Sequence, residues 1–106
     1  MGRFVIVAYK PKDGREAELL AAVRTHLKVL QDQKLVTDRP AYVMRASDNS
    51  IIEVFEWRSA EAIVQAHSNS AVQSLWEKFD AVCEYMPLSK LSEAGEMFAE
   101  FDAIEL

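Results

Sequence analysis

The residues able to do chemistry are few: two histidines, one cysteine and a scatter of carboxylates in 106 residues. His67 stands in Ala66-His67-Ser68-Asn69-Ser70, a polar break between two predicted helices. There an imidazole can act as base or donor, and Asn69 and Ser70 add donors where a helix break leaves N–H groups free to meet an anion. The structural alternative is a junction histidine that bonds backbone and orients the next helix. His26 lies beside the apolar stripe of the first predicted helix and reads as a half-exposed boundary residue. Cys83 falls between Phe79 and Met86 at helical spacing and reads as a small buried hydrophobe; a reactive thiolate would want a cation or a helix N-terminus nearby. The histidines and the cysteine lack metal-ligand spacing, and the helical carboxylates read as a solvated face. No glycine-rich phosphate loop or serine nucleophile elbow occurs, so neither metal nor cofactor is expected.

Aromatic residues are the more suggestive set. Tyr42, Phe55, Trp57 and Trp76 could wall a pocket for a flat aromatic molecule, with Arg3, Arg45, Glu53, Glu56 and Glu100 as polar groups on the strands. On that reading His67 and Trp57 are the candidate catalytic residues, and Tyr42, Trp57, Asn69 and Trp76 the candidate ligand-binding ones. The structural alternative makes Trp57 and Trp76 core residues and Glu53–Arg45 a cross-strand pair.

These side chains need elements to position them. Residues 4–9, Phe-Val-Ile-Val-Ala-Tyr, are β-branched and aromatic and predict a strand that stops near Pro11. Asp13 with Glu16 three residues on predicts a capped helix, with Leu20, Val23, Leu27 and Leu30 as its stripe, Leu19 widening it, and an end near Gln33. Residues 41–46 and 51–57 predict a hairpin about the turn Ser47-Asp48-Asn49-Ser50. Ser59 predicts the N-cap of a short helix over 60–66. Ser70, with Gln73, predicts the start of a longer one whose stripe of Val72, Leu75, Trp76, Phe79, Val82, Cys83 and Met86 runs to Pro87. Residues 88–95 read as a linker, and 97–106 contain a last strand centred on Phe98-Ala99-Glu100-Phe101. The order β-α-β-β-α-β is that of a ferredoxin-like α+β domain, a four-stranded antiparallel sheet with helices on one face, over residues 1–106 as one unit.

A net charge of −5 argues against nucleic acid, which needs a basic face. No stretch approaches the roughly 18 apolar residues of a membrane span. Without a recognisable signal peptide, a cytoplasmic location is the expectation. With the helices covering one face of the sheet, the other should read polar. Instead Phe4 and Val5, Ile6 and Val7, Ile51 and Ile52, Val54 and Phe55 put apolar groups on both. Leaving several wet forgoes several kcal/mol at roughly 25 cal/mol per Å². A homodimer through sheet faces is the simplest cover.

The run Phe55-Glu56-Trp57-Arg58-Ser59-Ala60-Glu61-Ala62, followed by Ala66-His67-Ser68-Asn69-Ser70, resembles the antibiotic-biosynthesis monooxygenase-like family. The resemblance implies a dimeric α+β barrel, two ferredoxin-like sheets packed face to face. Some members of that family are cofactor-independent monooxygenases of phenolic polycyclic compounds, others degrade haem, and many have no known activity. Haem degraders carry a histidine on the second long helix and an asparagine on the first strand. Residues 71–86 and 3–10 contain neither, which argues against haem breakdown. The expectations are therefore a cofactor-independent oxygenase of an aromatic small molecule, a non-catalytic binding module using the same cavity, or a stress-related dimer whose surface is its function.

Overall fold

The protein is described by a computed structural model, over residues 1–105. It is an α+β fold with a five-stranded antiparallel sheet and three α-helices among the described residues. The elements are β1 (Arg3–Pro11), α1 (Glu16–Asp32), β2 (Tyr42–Arg45), β3 (Ile51–Trp57), α2 (Ala60–Ala66), α3 (Ser70–Val82), β4 (Cys83–Met86) and β5 (Asp102–Ile104). The sheet order is β4-β1-β3-β2-β5, and no helix of the described residues is long and apolar enough to cross a membrane.

Strands and hairpin follow their local chemistry. Between β2 and β3 the Asp48 carboxylate accepts from the Ser50 amide at 2.9 Å, and Asn49 takes the left-handed conformation at φ 72 that asparagine tolerates. Helix starts agree less well. Asp13 makes no cap; α1 begins after Arg15, without a side-chain cap, beyond a turn in which Gly14 adopts φ 75. Ser59 caps α2 as expected, accepting from the Ala62 amide at 3.1 Å. At α3 the cap is Asn69, whose Oδ1 accepts from the Val72 amide at 3.1 Å, while Gln73 donates to the His67 carbonyl.

The largest departure from the sequence pattern is at the C-terminal end of α3. Instead of running to Pro87, the helix stops at Val82 and Cys83–Met86 becomes the strand beside β1, pairing Ala8 with Met86 and Pro11 with Cys83. The segment suits helix and strand alike. The unpaired edge of β1 decides, because its N–H and C=O groups gain partners only if the chain extends there. Phe98 to Phe101 is not a strand, and Phe98 is exposed; 3-10 turns at Leu88–Lys90 and Ser92–Gly95 lead instead to β5, which pairs with β2 on the opposite edge. The sheet thus has five strands rather than four. Leu106, at the end of the expected last strand, lies outside the described residues.

Register sorts the side chains between the two faces. Val7, Glu53 and Val43 align across three strands on the helix face, whereas Ile6, Val54 and Tyr42 align on the other. The helix-side core includes Leu19, Val23, Phe79 and Leu75 around Tyr9 and Ile51, and Leu30, Phe55, Trp57 and Val72 nearer α2. The buried stripe of α1 is Leu19, Ala22, Val23, His26 and Leu30, turned by about one position from the expected one, which leaves Leu27 half-buried. Leu91 and Phe101 cover Ala8, Ala46 and Ile52 on the opposite face, while Phe4, Ile6 and Tyr42 remain 60%, 50% and 65% exposed there.

Candidate functional site

A cavity of about 460 Å³ lies between the helices and the sheet. β1 supplies Val5, Val7 and Tyr9 to its wall, and β3 supplies Phe55 and Trp57. Their spacing of two along each strand is why these side chains share a face. From the helix side come His26 of α1, His67 after α2, and Trp76 and Asp80 of α3; Tyr85 of β4 closes the edge. Trp57 is held at the end of β3 by an added pairing: Val36 bridges it antiparallel, and the Arg58 amide donates to the Leu35 carbonyl at 2.9 Å. That latch forms because α1 ends in a left-handed turn at Lys34, φ 59, from which the Leu35 amide reaches back to Leu30.

The polar centre of the site is a buried chain of three side chains. Tyr9 donates its hydroxyl to Glu53 Oε1 at 2.7 Å, and His26 Nδ1 meets the same oxygen at 2.8 Å. The histidine and glutamate side chains are 4% and 1% exposed. With Glu53 as a carboxylate, both partners donate to it, so the imidazole carries a proton on Nδ1. Phe55 and Phe79 meet the ring of His26 edge-on at centroid distances of 5.3 and 5.2 Å, fixing its plane. Burial, and then the Glu53 carboxylate beside it, push the Tyr9 hydroxyl far above its ordinary range, so it stays a neutral donor. Two buried polar atoms of the described residues have no partner, His26 Nε2 and Glu53 Oε2. His26 belongs to the cavity wall and Glu53 does not. Each unpaired buried polar atom costs about 1–3 kcal/mol.

The structure brings His67, Trp57 and Trp76 together around this cavity. His67 is exposed and caps α2, its Nδ1 donating to the Ile63 carbonyl at 2.8 Å, with its ring edge-on to Trp76 at 5.2 Å. The junction role expected as its structural alternative is therefore present, and it also edges the cavity. Tyr42 is on the wrong face: it pairs with Val54, two strands across from Ile6, and points away from the helices. Asn69 is occupied as the cap of α3, and its amide donates to Gln33. Cys83 is buried as expected, although on β4 rather than on a helix, and burial followed by the nearby Asp80 carboxylate push its thiol up to about 11. Burial and Asp80 likewise push Tyr85 up to about 12.

Two residues carry the site that residue-by-residue reading placed elsewhere. His26 is buried rather than half-exposed, and Glu53 pairs with it rather than with Arg45, which instead donates to Glu16 at 2.6 Å. A signal for both was present. Glu53 sits at the inward parity of β3 with Ile51, Phe55 and Trp57, and His26 is three residues after Val23 on the buried stripe. Charged or polar groups at buried parity imply a buried partner. The other strand carboxylate, Glu56, accepts from Thr37 and pairs with Arg39, whose guanidinium stacks 5.7 Å from the Phe4 ring centroid on the open face. Comparison with protein-family models, with curated proteins and with solved structures finds no match.

Proposed function

We propose that the cavity binds a flat aromatic small molecule, and that the protein is a cofactor-independent oxygenase of such a molecule, similar to the antibiotic-biosynthesis monooxygenase-like family. One observation carries the reading. An apolar cavity of about 460 Å³ is walled by the rings of Phe55, Trp57 and Trp76, and its buried polar members, Tyr9 and His26, are both tied to Glu53. That volume is in the range of small-ligand sites, and indole faces suit a planar ring. In such a reaction an aromatic substrate that already carries a ring hydroxyl itself reduces dioxygen: one oxygen atom replaces a ring hydrogen, it and the hydroxyl oxygen become the two quinone carbonyls, and the other oxygen atom leaves as water with the two hydrogens lost. The strand order β4-β1-β3-β2 supports a ferredoxin-like core extended by β5.

The same reading includes a homodimer through the open sheet face. Its support is the row Ile6, Val54 and Tyr42 with Phe4 beside it, apolar and largely exposed on a face that the C-terminal segment covers only in part. Light scattering is expected to give twice the 12.0 kDa chain mass, and Ile6→Glu to halve it. For the cavity, naphthalene and naphthols are expected to quench tryptophan fluorescence, with the response reduced in Trp57→Phe. Oxygen uptake with naphthols in metal- and flavin-free buffer tests the catalytic half. Binding without uptake leaves a binding module, and absence of binding refutes the site.

A further inference from the structure

We infer that the molecule this cavity takes is a cation, an aromatic ring bearing a protonated amine, with the ring inside and the ammonium at the mouth beside Asp80. The inference rests on the reading of the cavity as a site for an aromatic molecule and adds the charge of that molecule. The exposed members of the wall, His67, Asp80 and Tyr85, mark the mouth. Asp80 is the only carboxylate among the described residues of the wall, which includes no lysine or arginine. It follows Trp76 by four positions on α3, so carboxylate and indole lie on one helix face. Among the described residues Asp80 makes no ion pair, so its charge is uncommitted. The Lys12 ammonium donates to the Asp80 backbone carbonyl at 3.0 Å and is not part of the wall.

Nothing else in the wall holds a fixed positive charge. His26 is paired with the Glu53 carboxylate at 2.8 Å, so a second proton on its ring would leave that pair without net charge. His67 donates from Nδ1 to the Ile63 carbonyl at 2.8 Å, and its Nε2 can accept from an ammonium. The field of Asp80 is felt by its neighbours. After burial it is the next cause that raises Tyr85 to about 12 and Cys83 to about 11, and at Cys83 Lys12 opposes it less strongly. Aromatic rings favour the same sign, because the negative face of a ring such as Trp57, Trp76 or Tyr85 attracts a cation. An anion would meet Asp80 and the same rings with no partner. Since Asp80 is exposed, an ammonium beside it keeps part of its hydration while the ring of the ligand is buried.

The test uses three probes that share one ring system and differ in charge: 1-naphthylmethylamine, 1-naphthalenemethanol and 1-naphthoic acid. Calorimetric titration near pH 7 is expected to show the amine binding about tenfold tighter than the alcohol, and the acid at least about threefold weaker than the alcohol. Naphthalene should compete with the amine, which places both in the cavity. Asp80→Asn, an exposed and nearly isosteric change, should bring the amine to within about threefold of the alcohol and leave the alcohol within about twofold of its wild-type affinity. Raising the salt to about 1 M, where charges are screened within about 3 Å, should lower the wild-type preference toward that of the variant. If the alcohol binds and the amine binds no tighter, or if Asp80→Asn keeps the full preference, this inference fails and the cavity reading survives. An amine that naphthalene does not displace sits elsewhere and likewise overturns the inference. If none of the probes binds the wild type, both readings fail.

Discussion

Replacing Tyr9 by Phe removes one hydroxyl and almost nothing else. The Tyr9 ring stacks on Phe79 at a centroid distance of 4.8 Å and leans on Tyr85 at 5.6 Å, and a phenylalanine keeps both contacts. What is lost is the 2.7 Å donation to Glu53, a hydrogen bond to a charged group at a residue only 2% exposed. Such bonds contribute about 1.5–3 kcal/mol, so Tyr9→Phe should cost about 2 kcal/mol near pH 8. The loss should also depend on pH, with a defined sign. The folded protein holds the Tyr9 hydroxyl far above its ordinary value of 10.0, while the unfolded chain ionises near that value. Tyr9 therefore contributes its full stability below pH 10 and loses it progressively above, as the unfolded state gives up a proton that the native state retains. At about pH 11 the wild type should have lost about 1.4 kcal/mol on this account, and the variant nothing. The gap measured by urea unfolding should then shrink from about 2 to about 0.6 kcal/mol. A variant as stable as the wild type at pH 8, or a gap unchanged at pH 11, would refute the buried Tyr9–Glu53 bond.

Two further predictions concern the scaffold. Phe79→Ala should cost about 3–5 kcal/mol by chemical denaturation, since Phe79 is fully buried against Tyr9 and His26, whereas Leu27→Ala, half-buried beside the stripe, should cost less than half as much. Equal losses would mean that α1 is rotated from the orientation described. Asn69→Ala removes both the cap of α3 and the bond to Gln33 and should cost about 1 kcal/mol, while Asn69→Ser, which keeps a capping oxygen, should recover most of it in the same melts.

The features that could be read from the chain itself are those settled within a few residues. The β-branched run at Phe4–Tyr9, the hairpin turn with Asn49, the Ser59 cap and the polar break at His67 each rest on local backbone preference, and each lies where expected. The caps at Arg15 and Asn69 missed by a residue or two because neighbouring polar residues compete for the same orphan amides. Residues 83–86 could not be settled locally, because Cys83, Tyr85 and Met86 suit a helix stripe and a strand alike, and only the open edge of β1 chose between them. The polar heart of the cavity was still less legible. His26 and Glu53 are 27 positions apart, and Tyr9 and Glu53 are 44 apart. Their meeting depends on the register that turns Glu53 inward and on the rotation of α1 that buries His26 above it. Tyr42 was lost to the site by the same register, which sends it to the open face with Ile6 and Val54. Residue types determine what each side chain can do with a proton or an aromatic ring. Which of them share a cavity is decided by strand pairing and helix rotation, because a single step of either moves a side chain from one face to the other.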